Sequence, residues 1–296
     1  MNDIISASFR IATPIMLAAV GGLLCFRAGV FNIGLEGLML VGSFAGVAGV
    51  ILGGGSVYVG FLVAILAGIL MAALFALASV KLHANEIVVS LAINMLALGL
   101  TSFLLRAIFD TTGALRPDTI NKLTEFELPL LGKLIGKQSI VTYFAIIAIF
   151  IVHVIMRHTH LGIEIQSVGE SPETALTCGI RTTRIKVAML LLSGAFCGLA
   201  GAYLSTVVVS EFTENMVSGR GFTAFTAVAF ANSNPVLTFL VSLLLGFADA
   251  AGIRLEIQST GVSPSIVKMF PYLLALLVYT LGTAIRNINI RRKSGG

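Results

Sequence analysis

The chain alternates between long apolar runs and shorter polar stretches, and the apolar runs predict helices that cross a membrane. A helix needs about 20 apolar residues to span the hydrocarbon core of a bilayer. Each run is predicted to be helical, because the edge of an open sheet cannot form its hydrogen bonds in lipid. The predicted spans lie near residues 8–26, 36–53, 57–80, 86–106, 139–157, 185–208, 236–253 and 266–285.

Two apolar regions are interrupted by residues that do not suit a membrane helix. The stretch "AGVFNIGLEG" at residues 28–37 places three glycines, an asparagine and a glutamate between two apolar runs. A weaker ninth crossing at 220–234, which contains Phe222, is also interrupted. Interrupted segments at corresponding places in two halves of a chain indicate a transport pathway. We therefore expect about nine transmembrane helices (eight to ten), broken near 28–37 and 220–234.

Composition excludes a water-soluble globular protein. Hydrophobic residues make up 57% of the 296 residues, charged residues make up 11%, and the mean hydropathy is +0.99. A soluble domain carries roughly 25% charged residues, so this chain has too little charge to cover a surface that faces water. The fold class is therefore an all-α polytopic membrane protein, and residues 1–296 are expected to form a single transmembrane domain.

The positions of the basic residues predict how the chain is oriented in the membrane. The net charge is +5, and the C-terminal "RNINIRRK" is basic without any acidic residue, which is typical of a cytoplasmic tail. Counting back through nine crossings places the polar stretch 158–183 in the cytoplasm and the stretch 107–138 outside. The outer stretch also contains four basic residues, and the count changes by one if 220–234 only enters the membrane and returns.

Three polar residues within the predicted spans are candidates for a function. Burying a charge in lipid costs at least about 2.5 kcal/mol, so Glu36 and Glu86 need an explanation. Both lie near the start of a span, where a carboxylate also favours the helix dipole. The glycines around Glu36 favour a backbone that has left the helix to line a cavity. Asn94, in the middle of a span, could form a hydrogen bond between helices or contact a substrate.

The stretch "VGESPETALTCGI" at residues 168–180 predicts a short helix outside the membrane. Ser171 suits an N-cap, Pro172 suits the first helical position, and Glu173 complements the N-terminal dipole. Gly179 is suited to end the helix. Isolated helices of two turns are marginal in water. This helix is therefore expected to dock, either on the cytoplasmic end of its own chain or on a soluble partner.

Motifs for catalysis or for cofactor binding are absent from the sequence. There is no HExxH motif, and the histidines and cysteines have no spacing typical of metal ligands, so no metal or other cofactor is expected. No G-x-x-x-x-G-K-[ST] motif for nucleotide binding occurs. "LSGAF" around Ser193 resembles the serine-glycine of an intramembrane protease, but only His153, near the end of a span, could partner it. An intramembrane enzyme and a stand-alone secondary transporter remain the alternatives.

Two motifs resemble those of one transporter family. "RAGVFNIGLEGLMLVGSFAG" at 27–46 resembles the signature of permease subunits of ABC importers in the branched-chain amino acid and ribose superfamily. Its core N-I-G-x-E-G, at 32–37, is characteristic of the nucleoside and simple-sugar branch. "GESPETALTCGI" at 169–180 resembles the coupling motif of that branch, G-E-N-P-x-A-A-x-x-A-G-I. The chain departs from that motif by small residues at Ser171, Thr174 and Cys178.

The resemblance implies a permease subunit of an ATP-driven importer in the bacterial inner membrane, multi-pass and with a cytoplasmic C-terminus. Nucleosides are the expected substrates, and simple sugars or riboflavin are the alternatives. The implied partners are a second homologous permease, an ABC ATPase (often one chain with two nucleotide sites) and an extracytoplasmic substrate-binding protein, but no nucleic acid. ATP hydrolysis would occur in the ATPase, so this chain would not be an enzyme.

The resemblance also assigns two sets of residues. The residues expected along the substrate pathway are Asn32, Glu36, Asn94 and Phe222. The residues expected to couple the chain to the ATPase are Gly169, Glu170, Ser171, Pro172, Glu173, Ala175 and Gly179.

Overall fold

The computed structural model describes residues 2–257 except 118, 121–124 and 127–136, and most of these residues are helical. The helices are α1 Asn2–Arg27, α2 Leu35–Leu52, α3 Val57–Ala76, α4 Glu86–Phe109, α5 Ile140–His158, α6 His160–Glu170, α7 Pro172–Thr177, α8 Thr182–Tyr203, α9 Arg220–Phe230 and α10 Pro235–Ile257. One π-helical turn extends α3 (Leu77–Lys81) and another extends α8 (Leu204–Val208).

Within the described residues, four strands of two residues each form two small antiparallel pairs. The strands are β1 Ala114–Leu115, β2 Glu125–Phe126, β3 Gln138–Ser139 and β4 Phe212–Thr213. β1 pairs with β4, and β2 pairs with β3. The β1–β4 pair joins the loop after α4 to the segment after α8.

The described residues contain seven helices that are long and apolar enough to cross a membrane. They correspond to seven of the predicted spans, and they confirm the all-helical fold class. The predicted span 266–285 and the basic tail lie outside the described residues. The only helix in the predicted crossing 220–234 is α9, which has 11 residues. At about 16 Å, α9 is too short to cross the hydrocarbon core alone.

The helices differ in how far the rest of the chain covers them. In α2, 89% of the apolar window is buried, whereas in α4 only 28% is buried. The outer helices keep apolar side chains on the surface, as at Leu62, Leu66 and Leu70 along one face of α3. An exposed stripe with this four-residue spacing is suited to lipid, which is as apolar as leucine.

Glycines allow α2 and α8 to pack with their backbones in contact. A Cβ atom added at Gly42 would lie 2.5 Å from the carbonyl oxygen of Gly198, which is closer than carbon and oxygen can approach. Small residues at such crossings are how membrane helices gain dispersion contacts without a hydrophobic driving force. Ser43 strengthens the same crossing, because its Oγ donates to the carbonyl of Gly201 at 3.1 Å.

The bundle has two distinct ends. At one end, the last turn of α1 lies against α6 and the turn after α9, through hydrogen bonds from Arg27. At the other end, the first turns of α1 contact β3, where Gln138 Nε2 donates to the carbonyl of Ser6 at 3.0 Å. The end that contains Arg27, α6 and α7 is called the α6–α7 end below.

Candidate functional site

The chain leaves the helical conformation between α1 and α2, over residues 28–34, which we call the first break. Gly29 has a φ of +70°, a conformation that L side chains rarely adopt. The amide of Val30 then donates to the carbonyl of Cys25 at 2.9 Å, which ends α1 in a Schellman motif. The break predicted near 28–37 is therefore confirmed, but it is shorter, because α2 already begins at Leu35.

One face of α4 supplies hydrogen bonds to the first break. Glu86 and Ser90 are four residues apart and therefore lie on the same face of the helix. Glu86 Oε2 accepts from the amide of Phe31 at 2.6 Å, and Ser90 Oγ accepts from the amide of Ile33 at 3.1 Å. Ser90 Oγ also lies 3.4 Å from the carbonyl of Phe31. These side chains replace the helical hydrogen bonds that the break gives up.

Asn94 continues that face of α4 one turn further. Its Oδ1 accepts from the amide of Gly37 at 2.8 Å, and its Nδ2 donates to the carbonyl of Ile33 at 3.3 Å. The amide of Gly37 lies in the first turn of α2, where no intrahelical acceptor is available. The mid-span asparagine is thus a hydrogen-bond partner between α4 and the first break in this conformation.

Asn32 is buried inside the first break, with 2% of its surface exposed. Its Oδ1 accepts from the amide of Gly34 at 2.9 Å, which stabilises the turn into α2. Its Nδ2 lies 3.4 Å from Ser193 Oγ on α8. The side chain therefore holds the break against α1 and α8, and reaching it from water would require a conformational change.

Glu36, in the first turn of α2 just after the first break, contacts the second interrupted segment. The prediction placed that segment at 220–234, whereas in the structure it is residues 209–234, in which the short helix α9 stands between two non-helical stretches, 209–219 and 231–234. Glu36 Oε1 accepts from the amide of Gly219 at 2.8 Å, and its Oε2 accepts from the amide of Gly221 at 2.7 Å.

Glu36 is 8% exposed. A carboxylate at a helix N-terminus satisfies unpaired amides and complements the helix dipole. Glu36 therefore caps α9 from another helix. This role differs from both roles considered from the sequence, a carboxylate at the start of its own helix and a residue that lines a cavity.

Aromatic side chains from the two interrupted segments lie on an accessible surface. Phe31 is 37% exposed and Phe222 is 39% exposed. The ring of Phe31 meets the ring of Phe225 edge to face, with centroids 5.0 Å apart. Phe222 thus comes from the segment capped by Glu36, and it is more accessible than Asn32 or Glu36.

The polar stretch between α5 and α8 contains two helices rather than one. The predicted short helix is α7, and its predicted N-cap is confirmed, since Ser171 Oγ accepts from the amide of Thr174 at 3.4 Å. Gly179 has a φ of +81°, as expected after a helix end. The helix α6 was not predicted from the sequence. Its buried positions Gly162, Ile165 and Val168 follow a helical period, which was the available signal.

The predicted coupling residues separate into buried and exposed positions. Ala175 is 3% exposed and faces the chain itself, whereas Leu176 beside it is 57% exposed. Glu170 and Glu173 are also exposed. Gly169 packs directly on the backbone of Arg27, with no room for a side chain. The α6–α7 element therefore presents both acidic and apolar groups to the outside.

Comparison with known proteins identifies the family. Residues 4–279 match the profile of the family described as "Branched-chain amino acid transport system / permease component". The chain belongs to this family. The match covers nearly the whole length of the permease.

Similar proteins support this assignment. The permease is 35% identical to a guanosine ABC transporter permease protein of Bacillus subtilis, over 95% of this chain and 92% of the relative. It is 32% identical to a nucleoside ABC transporter permease protein of Lactococcus lactis, over 91% and 89%. A solved ABC transporter in an inward-facing conformation has a TM-score of 0.50 at 17% identity, covering 94% of the permease and 85% of that chain. That last likeness concerns the fold.

The opposite orientations of Phe31 and Asn32 give a first prediction. In a permease whose cysteines Cys25, Cys178 and Cys197 are replaced by alanine, Phe31→Cys should react readily with a small membrane-impermeant thiol reagent. Asn32→Cys should react at least about tenfold more slowly, because the structure must open locally to expose it. The measurement is the labelling rate with and without trapped ATP on the assembled transporter. Equal rates at both positions would contradict the burial of Asn32.

Proposed function

We propose that this permease carries nucleosides inward across the bacterial inner membrane as one of two paired permease subunits. The two relatives named for guanosine and nucleosides match it over at least nine-tenths of its length, which supports this substrate class. The accessible rings of Phe31 and Phe222 are compatible with it, because aromatic side chains stack with nucleobases.

One observation carries the proposal of a pathway. The carboxylate of Glu36 joins the first turn of α2 to the first turn of α9, so both interrupted segments meet at one place. α9 is about 16 Å long and ends near Arg27, so its start lies deep in the bundle. Irregular backbone at membrane depth is tolerated where it is covered by protein or lines an aqueous cavity. We propose that Phe31 and Phe222 line the pathway.

The polar residues predicted for the pathway have a related role in this proposal. Asn32, Glu36 and Asn94 hold the interrupted backbone in place through the hydrogen bonds described above, and so they determine the shape of the pathway wall. Direct contact of these three residues with substrate would require them to exchange their present partners. The conformational change between inward-open and outward-open states is the step at which such an exchange could be observed.

The ATPase is proposed to dock on the α6–α7 element. A short capped helix that presents Glu173 and Leu176 outward suits a groove on a soluble partner. We also propose that the α6–α7 end and the C-terminus lie in the cytoplasm, as the basic tail predicts, and a reporter fused to the C-terminus would test this orientation. A second permease and an extracytoplasmic binding protein, which faces the opposite end, complete the proposed importer.

The direct test is uptake by the complete assembly. Vesicles containing both permeases, the ATPase and the binding protein should take up radiolabelled guanosine only with ATP present. An excess of unlabelled nucleoside should abolish the signal, whereas glucose, ribose and riboflavin should leave it unchanged. If glucose, ribose or riboflavin abolishes the signal and the nucleoside does not, that compound rather than a nucleoside would be the substrate.

The same preparation separates this proposal from a secondary transporter. The purified permease alone, placed in vesicles with an imposed ion gradient, should show no uptake above the level of empty vesicles. ATP hydrolysis should also be absent from the permease alone. Gradient-driven uptake by the isolated chain would overturn the importer proposal.

A further inference from the structure

Arg27, at the C-terminal end of α1, contacts two other parts of the chain. Its Nε donates to the carbonyl of Ser233 at 2.8 Å, in the turn that follows α9. Its Nη1 donates to Gln166 Oε1 on α6 at 3.3 Å. The planar guanidinium of arginine is suited to two acceptors held in fixed directions. One side chain thus connects α1, α6 and the end of α9.

Gln166 is itself held in place by two further hydrogen bonds. Its Nε2 donates to the carbonyl of Met156 at 2.7 Å and to the carbonyl of Gly162 at 3.0 Å. The amide therefore presents its oxygen to Arg27 in one orientation. Because the side chain of Gln166 is not free to rotate, its oxygen would move together with α6.

A backbone contact lies beside this hydrogen bond. A Cβ atom added at Gly29 would lie 2.9 Å from the Cα of Gly169, and one added at Gly169 would overlap the carbonyl oxygen of Arg27. The first break and α6 therefore touch without any side chain between them. Close-packed backbones transmit displacement because they have no rotamers with which to absorb it.

The turn that accepts from Arg27 has a demanding backbone conformation. Asn232 and Ser233 both have positive φ, at 47° and 56°. The amide of Ser233 donates to the carbonyl of Val228 at 3.1 Å, which ties the turn to the last residues of α9. An arginine anchored to the carbonyl of Ser233 therefore fixes the end of α9 as well as the end of α1.

We propose that Arg27 and the Gly29–Gly169 contact form the joint through which movement of α6–α7 reaches both interrupted segments at once. Arg27 acts as a positioning residue: through Gln166 it follows α6, and through Ser233 it moves the end of α9. The Gly29–Gly169 contact moves the first break. This inference rests on the proposed function, since it assumes that a soluble ATPase moves α6–α7.

A purely structural role for Arg27 leads to a different expectation. A basic residue in the last turn of a helix favours the helix dipole and the cytoplasmic side of a membrane, and lysine serves both purposes equally well. Lysine has a single ammonium on a flexible stem and cannot offer two directed donors from one plane. Arg27→Lys therefore separates the two roles.

The experiment uses the complete transporter with Arg27→Lys and measures uptake, ATP hydrolysis and co-purification of the ATPase. We expect the ATPase to remain bound and to hydrolyse ATP within about twofold of the unmodified rate, while nucleoside taken up per ATP falls by about tenfold. Arg157→Lys is the matched control. Arg157 is an exposed basic residue in the last turn of α5, with no described hydrogen bond from its side chain, and it should keep the unmodified ratio.

Two outcomes for Arg27→Lys would overturn the joint. An unchanged ratio for Arg27→Lys would leave Arg27 as a helix-end charge, and loss of the ATPase would make it part of the docking surface. If Arg27→Lys does not reach the membrane, Gln166→Met removes the acceptor on α6 and should lower the ratio in the same way. Absence of ATP-dependent uptake by the unmodified assembly would instead refute the proposed function.

Discussion

Uptake is expected to fall by at least about tenfold when Glu36 is replaced by glutamine, while the permease still inserts into the membrane. Each oxygen of Glu36 accepts from one backbone amide, at Gly219 and at Gly221. A glutamine side chain has one acceptor oxygen, so its NH₂ group must face one of these N–H donors. A buried donor without an acceptor costs about 1–3 kcal/mol, and a charge-assisted hydrogen bond contributes about 1.5–3 kcal/mol. The contact between α2 and α9 should therefore weaken.

The measurement is uptake by the complete transporter, with the amount of permease in the membrane determined by immunoblotting. Asp110→Asn is the control, because it makes the same change from carboxylate to amide at an exposed residue after α4, outside both interrupted segments and with no described hydrogen bond from its side chain. It should retain normal uptake. Normal uptake by Glu36→Gln would show that the cap on α9 is dispensable, and the proposal that the two interrupted segments act together would fail.

Hydropathy predicted the membrane helices well, because each long apolar run has only one way to satisfy its backbone in lipid. The predicted starts agree closely with the structure, as at Leu35, where the prediction began at 36, and at Glu86, where the two coincide. The short helices α6 and α9 were harder to predict from hydropathy. α6 is amphipathic and lies in a polar stretch, and α9 is too short for a window sized to a membrane span.

The candidate site could be predicted only in part. The glycines and polar residues indicated a break near 28–37. The two amides that donate to Glu36, however, lie 183 and 185 residues further along the chain. No local pattern encodes that pairing. The partners on α4 were closer to prediction, because Glu86 and Asn94 were candidates. Ser90, midway between them, completes the four-residue spacing and was overlooked.

The polar face of α4 explains how a membrane helix can stop and restart at this depth. Glu86, Ser90 and Asn94 accept from the amides of Phe31, Ile33 and Gly37, so protein side chains replace three of the helical acceptors that the break gives up. A break that protein satisfies in this way can be rigid in one conformation.

Loss of the ATPase is the expected result of changing the exposed face of α7. Glu173 and Leu176 are three residues apart and lie on one face of the helix, and Leu176 is 57% exposed. Ala175 faces inward at 3% exposure, so a larger residue there would disturb the permease itself. An exposed leucine outside the membrane is suited to a docking surface, because covering its apolar side chain with a partner is favourable.

Two single variants test the docking surface independently. Leu176→Ser keeps the charge of α7, whereas Glu173→Lys reverses a charge and also opposes the helix dipole. Each should weaken co-purification of the ATPase by about tenfold, and each should lower substrate-stimulated ATP hydrolysis, while the permease keeps its thermal stability. Glu211→Lys makes the same charge change beside β4 and should retain the ATPase. If both α7 variants retain the ATPase and its stimulation, α7 is not the docking element, and the joint at Arg27 would have no movement to transmit.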